Sequence, residues 1–223
     1  MLQQKLKTSG YPKVKPAFSK QQGFSLMEVL IAMIIIAIGL LGFLSLQLAS
    51  VNSNQEGMAR TQATLIGQDL AASMRSNRFY INQGDGSANV GNAYLNNALY
   101  NDCTSEPPQA CSGAAANCTD EQQAEYDVWK TCATLSGFDG SAVASVDNDP
   151  LIDGRVFVSC TDRDNGADGD VCSPGSTLSI FTYWRTGALR EDVGQSQTVI
   201  RNARCDTFLP TEAHDCVVID IMP

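Results

Sequence analysis

Residues 21–46 read QQGFSLMEVLIAMIIIAIGLLGFLSL, and this stretch decides the fold. From Val29 to Leu46 there is no charge and no proline. Such a run of about 18 residues is long enough to cross a bilayer core as a helix. Lys5, Lys7, Lys13, Lys15 and Lys20 precede it, while acids dominate after it. The positive-inside rule therefore puts residues 1–23 in the cytoplasm and the body of the chain outside. Glu28 stands one residue before the uninterrupted run. An acid on a membrane helix costs about 2.5–3.5 kcal/mol at the bilayer centre and less near the interface, so Glu28 calls for a partner. A plain uncleaved anchor gives no reason for it. A secretory signal would be cut after the apolar run at a small-x-small site, and Ser45-Leu46-Gln47 and Gln47-Leu48-Ala49 are poor ones.

Gly23, Phe24 and Glu28 supply a third reading. QQGFSLMEVLIAM, behind its basic leader, resembles the class III signal of type IV pilins and pseudopilins: a glycine, a phenylalanine, and an acid four residues on, leading an apolar helix. The resemblance implies that a prepilin peptidase cuts between Gly23 and Phe24 and methylates the new amine. The apolar helix then stays in the mature protein. The amine on Phe24 would lie one helical turn from Glu28, and in a low-dielectric filament core acid and amine stabilise each other far more than in water. Pairing between subunits would set their axial register, making Glu28 an assembly residue rather than a catalytic one.

After Gln47 the pattern becomes amphipathic. Ala59, Ala63, Ile66, Leu70 and Met74 recur at steps of three and four, with Arg60, Gln62, Gln68, Asp69 and Arg75 around them. No proline occurs between Pro16 and Pro107, and Asn82, Gly84 and Gly86 supply a stop. A helix from Phe24 to about Tyr80 would run roughly 85 Å. Gly39 and Gly42 are points where it could stretch, or where another helix could pack closely. The stretch from Gly67 to Asn82, with Arg75, Asn77 and Arg78, is similar to the end of this helix in PilV-type minor pilins.

All eight cysteines lie beyond residue 100: Cys103, Cys111, Cys118, Cys132, Cys160, Cys172, Cys205 and Cys216. No CxxC occurs and His214 is the only histidine, so an ordinary zinc site is not expected. An even, scattered set on an exported chain reads as disulfides, with Cys160–Cys172 and Cys205–Cys216 the first pairs expected, each joining neighbouring strand ends. Elsewhere in the head lie a short helix within Asn89–Tyr100 and a helix from a capping box of Thr119 and Gln122 to a stop at Gly137. Ala124, Val128, Cys132 and Leu135 form the apolar face of the second. That segment, with Trp129, resembles a helix of PilV and of the secretion pseudopilins, although Ser136 stands where a proline is expected. From Arg155 the period becomes two, in RVFVSC (155–160), TLSIFTYW (177–184), QTVIRNARC (197–205) and DCVVIDIM (215–222). An antiparallel sheet of these strands, with its apolar face on the helix stripe, would complete an α+β, pilin-like fold.

Asp162, Asp164, Asp168 and Asp170 alternate with short residues, as a Ca²⁺ loop requires. Gly166 and Gly175, however, stand where an EF-hand register from Asp164 would want a ligand and the closing glutamate. The run reads first as a solvated acidic hairpin closed by Cys160 and Cys172, with Ca²⁺ as the alternative and no other cofactor. His214, Asp215 and Cys216 lack any nucleophile motif, so no enzyme is expected.

The organisation expected is a cleaved basic leader (1–23), a membrane or filament-core helix (24–48), its amphipathic continuation (49–82) and a disulfide-bonded head (83–223). Losing the five leader lysines takes the formal net charge from −9 to −14, a body that repels nucleic acid. The resemblance implies a PilV-like minor pilin of a type IV pilus, structural in role, priming assembly and serving at or near the tip. Its partners would be other minor and major pilins, the prepilin peptidase and the inner-membrane assembly platform. Its place would be the bacterial inner membrane, with the head in the periplasm, and then the pilus at the cell surface. A type II secretion pseudopilin shares the N-terminal logic. A ligand- or Ca²⁺-binding ectodomain on an uncleaved anchor is the reading from another class.

Overall fold

The computed structural model describes residues 23–82, 92–101, 103, 106–112, 117–136, 151–165, 172–186, 202–209 and 214–223. The chain divides into two units, Met1–Gln47 and Leu48–Pro223. Helix α1 (Leu26–Ser76), 51 residues long, begins in the first and ends in the second. In the first unit every described residue is exposed. The core lies in the second.

There α1 buries one stripe: Ala63, Gly67, Leu70, Ala71 and Met74. The stripe faces a three-stranded antiparallel sheet in the order β1 (Arg155–Thr161), β2 (Thr177–Arg185), β3 (His214–Ile221). The register pairs Val158 with Ile180, and Ile180 with Ile219. Side chains alternate across a strand, so Val156, Val158, Leu178, Ile180, Trp184 and Ile221 share the core of the helix stripe. Gly67 sets how closely helix and sheet approach. A Cβ there would stand 2.8 Å from Ile219 Cδ1 and 3.1 Å from Thr182 Oγ1. The Thr182 hydroxyl is the one buried side-chain polar atom left without a hydrogen bond among the described residues.

The other face of the sheet carries a core of its own. It is covered too, and seven of the nine residues of β2 are buried. Phe181, Tyr183, Cys205 and Cys216 form a second core there, with Phe157, Phe208, Leu209 and Val218 around it. Residues 203–205, expected at the end of a further strand, instead begin a 3₁₀ helix, Ala203–Thr207; residues 197–201 lie outside the described ones. The reason is local. The Asn202 side chain accepts from Arg204 N, as an N-cap does, and Cys205 is tied to Cys216 of β3. The segment is pinned across the sheet face by the Tyr183 hydroxyl, which donates to Cys205 O at 2.8 Å, and by a bidentate Arg204–Asp220 pair.

Asn77 interrupts α1 before the short helix α2 (Arg78–Ile81). Its buried side chain donates to Asp120 O at 2.7 Å and to the Tyr94 hydroxyl at 3.3 Å, binding the end of α1 to helix α3 (Asp120–Leu135). Tyr94 in turn donates to Asp127 Oδ2 at 2.6 Å, and Gln123 Nε2 to Asp127 Oδ1 at 2.8 Å. Helix α3 starts at the capping box: Gln122 N donates to Thr119 Oγ1 and Thr119 N to Gln122 Oε1. It ends at Leu135 with Ser136 as C-cap, and the expected stop Gly137, like Gly84 and Gly86, lies outside the described residues. Within 92–101 the expected short helix is two 3₁₀ turns, Ala93–Leu95 and Leu99–Asn101. Asn97, between them, closes on β1 with both ends of its amide: Val158 N donates to Oδ1 at 2.7 Å, and Nδ2 donates to Val158 O at 3.1 Å.

All eight cysteines are paired, as Cys103–Cys132, Cys111–Cys118, Cys160–Cys172 and Cys205–Cys216. Cys103–Cys132 binds an irregular segment to α3, and Cys160–Cys172 binds one to β1, since Cys172 precedes β2. Cys205 sits in the 3₁₀ helix, so its bridge joins a turn to a strand rather than two strand ends.

Candidate assembly site

Gly23, Phe24 and Ser25 precede the helix, and Ser25 opens it. The Ser25 hydroxyl accepts from Met27 N at 3.3 Å, and Ser25 O accepts from Glu28 N at 3.0 Å. Glu28 therefore lies in the first turn, where the positive end of the helix dipole favours a carboxylate. Phe24 is 83% exposed, and the Glu28 carboxylate has no hydrogen-bond or ion-pair partner among the described residues. Beyond it Leu30, Ile31, Ile34, Ile38, Leu41 and Phe43 are exposed, on every side of the helix. A Cβ added at Gly39 or Gly42 would meet nothing within 4 Å, so packing inside this chain does not require either glycine. By length and composition, α1 can cross a membrane.

Two residues, Glu56 and the Arg60 that flanks the apolar stripe, fasten the later part of α1 to the sheet. Glu56, the first acid after Glu28, accepts from Trp184 Nε1 at 3.0 Å and from the Thr186 hydroxyl at 3.1 Å. One turn on, Arg60 Nη2 pairs with Asp215 Oδ2 at 2.7 Å, and its guanidinium lies 6.0 Å from the Trp184 ring centroid. Asp215 is 1% exposed, so this is a pair with one desolvated partner, which is costly to break. The signal in the sequence was an acid and a base four apart in a stretch otherwise poor in charge, but nothing local named their partners.

The acidic hairpin uses its first carboxylate internally. Asp162 Oδ1 accepts from Ser173 N, the Ser173 hydroxyl and the Ser176 hydroxyl at 2.8–3.0 Å. Asp164 accepts from Ser173 at 3.4 Å, while Asp168 and Asp170 lie outside the described residues. His214 Nε2 lies 2.8 Å from Asp153 Oδ2, and Asp215 is taken by Arg60, so the run 214–216 is structural. Burial raises the Asp153 carboxyl, but the His214 contact and Arg155 outweigh it and hold it below the usual carboxylate range.

A long helix, exposed and apolar at its start and packed on an antiparallel sheet further on, defines a pilin-like class of protein. Residues 18–44 match the prokaryotic N-terminal methylation motif, and residues 45–129 match the family described as type IV pilin Tt1218. The protein is type IV pilin-like, with a prepilin methylation motif at its start, and pilins are structural proteins rather than enzymes. No curated protein and no solved structure matches the chain. The motif and the apolar helix fit membrane anchoring and incorporation into a pilus, in association with other pilins and the membrane assembly machinery.

Proposed function

We propose that this protein is a minor pilin of a type IV pilus, PilV-like in role, that joins other minor and major pilins in the inner membrane and primes assembly. The observation that carries the reading is the unpartnered Glu28 carboxylate in the first turn of an exposed apolar helix. In this reading a prepilin peptidase cuts after Gly23 and methylates the Phe24 amine. The amine then meets Glu28 of a neighbouring subunit in a medium where both charges are poorly solvated. The head stays on the periplasmic side until the subunit enters the filament, and the protein needs no cofactor.

Glu28→Gln keeps size and hydrogen bonding but removes the charge. The variant is expected to lose residues 1–23 by intact mass and to insert normally by fractionation, yet to co-purify with partner pilins roughly tenfold less, the factor that about 1.4 kcal/mol of lost pairing gives. Normal recruitment would remove the charge-pairing mechanism and leave only the coarser pilin-like assignment.

A further inference from the structure

Between α3 and the loop that precedes it lies a groove of about 230 Å³. Its floor is apolar: Leu99, Pro107, Pro108, Val128 and Trp129. Glu106 and Glu125 also line it, and no basic residue does. The groove is held in place covalently, since Cys103–Cys132 ties the loop to α3 and Cys111–Cys118 closes the loop on itself. Trp129 Nε1 donates to Cys103 O at 3.3 Å, so the indole offers the groove its ring rather than its polar atom. Neither Glu106 nor Glu125 has an ion-pair or hydrogen-bond partner among the described residues.

We propose that this groove binds a cationic segment of a partner protein, an arginine or lysine side chain next to an apolar residue. An aromatic ring attracts a cation, and two carboxylates beside it make the attraction selective for positive charge. The proline pair keeps the opposite wall rigid, so little ordering accompanies binding. Such a groove would serve a minor pilin or any other member of the pilin-like class equally.

The test uses the full chain in detergent and two probes, acetyl-Leu-Arg-amide and its citrulline analogue, which keeps the shape and loses the charge. Trp184 is 1% exposed and reports on the core, so a change in Trp129 emission reads the groove. A saturable, salt-sensitive change is expected with the arginine probe. It should be roughly tenfold weaker with citrulline and roughly tenfold weaker in Glu106→Gln/Glu125→Gln, about 1.4 kcal/mol in each case. Both glutamates are exposed, and near-ultraviolet circular dichroism checks that the variant is folded. No saturable response, equal binding of citrulline, or an unchanged affinity in the folded variant would each overturn the proposal.

Discussion

The two halves of α1 obey different rules although they form one helix. Before Leu48 the apolar residues surround the helix and all are exposed; after it Ala63, Leu70, Ala71 and Met74 form one buried stripe that meets the sheet, while Val51, Met58 and Leu65 stay exposed. The first half is apolar for a medium outside the molecule, and the second for a core inside it. Leucine or glycine therefore means something different on either side of the boundary.

The largest effect should come from truncating one leucine on each side. Leu70 is 1% exposed, and Leu70→Ala should cost the head about 2–5 kcal/mol in urea unfolding. Leu40→Ala removes the same atoms from an exposed site and should leave head unfolding unchanged. A shared loss would mean that the two units unfold together.

Glycine gives a smaller contrast. Gly67→Ala must displace Ile219 Cδ1 and should cost the head about 1 kcal/mol, less if that side chain can rotate away. Gly42→Ala meets nothing and should strengthen the helix by up to about 1 kcal/mol, without moving the head transition. Thermal unfolding of both variants under one set of conditions reads the difference.

The smallest effect is one of pH, and it belongs to the head alone. Burial pushes the Asp127 carboxyl up, so the folded state holds its proton more tightly than the unfolded chain does. The stability that this proton gives is present at low pH and falls as pH rises from the unfolded pKa, about 3.9, through the folded one. Asp220 runs the other way: the Arg204 and Ser179 hydrogen bonds lower it, and its contribution is lost as pH falls through the folded value. Asp127→Asn should gain on wild type as pH rises from about 4 towards neutral, a trend followed by urea midpoints at each pH. A flat difference would mean that Asp127 does not titrate over that range.

Sequence patterns carried what was local. The apolar run, the acid before it and the Thr119–Gln122 box each lie within a few turns of chain, and the helix stripe follows from steps of three and four. What stayed illegible depends on distant partners. Asn77 looks like a polar helix terminus until Asp120 and Tyr94 are brought to it. Glu56 has no local sign of Trp184, and nothing near Gly67 announces Ile219. Residues 197–205 alternate like a strand, but where the chain is described the Asn202 cap and the bridge from Cys205 prevail over that pattern.

Asn97 has a consequence for life among crowded neighbours. A bare strand edge is a template on which any extended chain can add itself, and fusion of edges is a route to aggregates. By matching both the N–H and the C=O of Val158, one amide side chain occupies the middle of the β1 edge. An incoming strand finds those two backbone groups already taken at that point of the edge, by a single residue between two 3₁₀ turns.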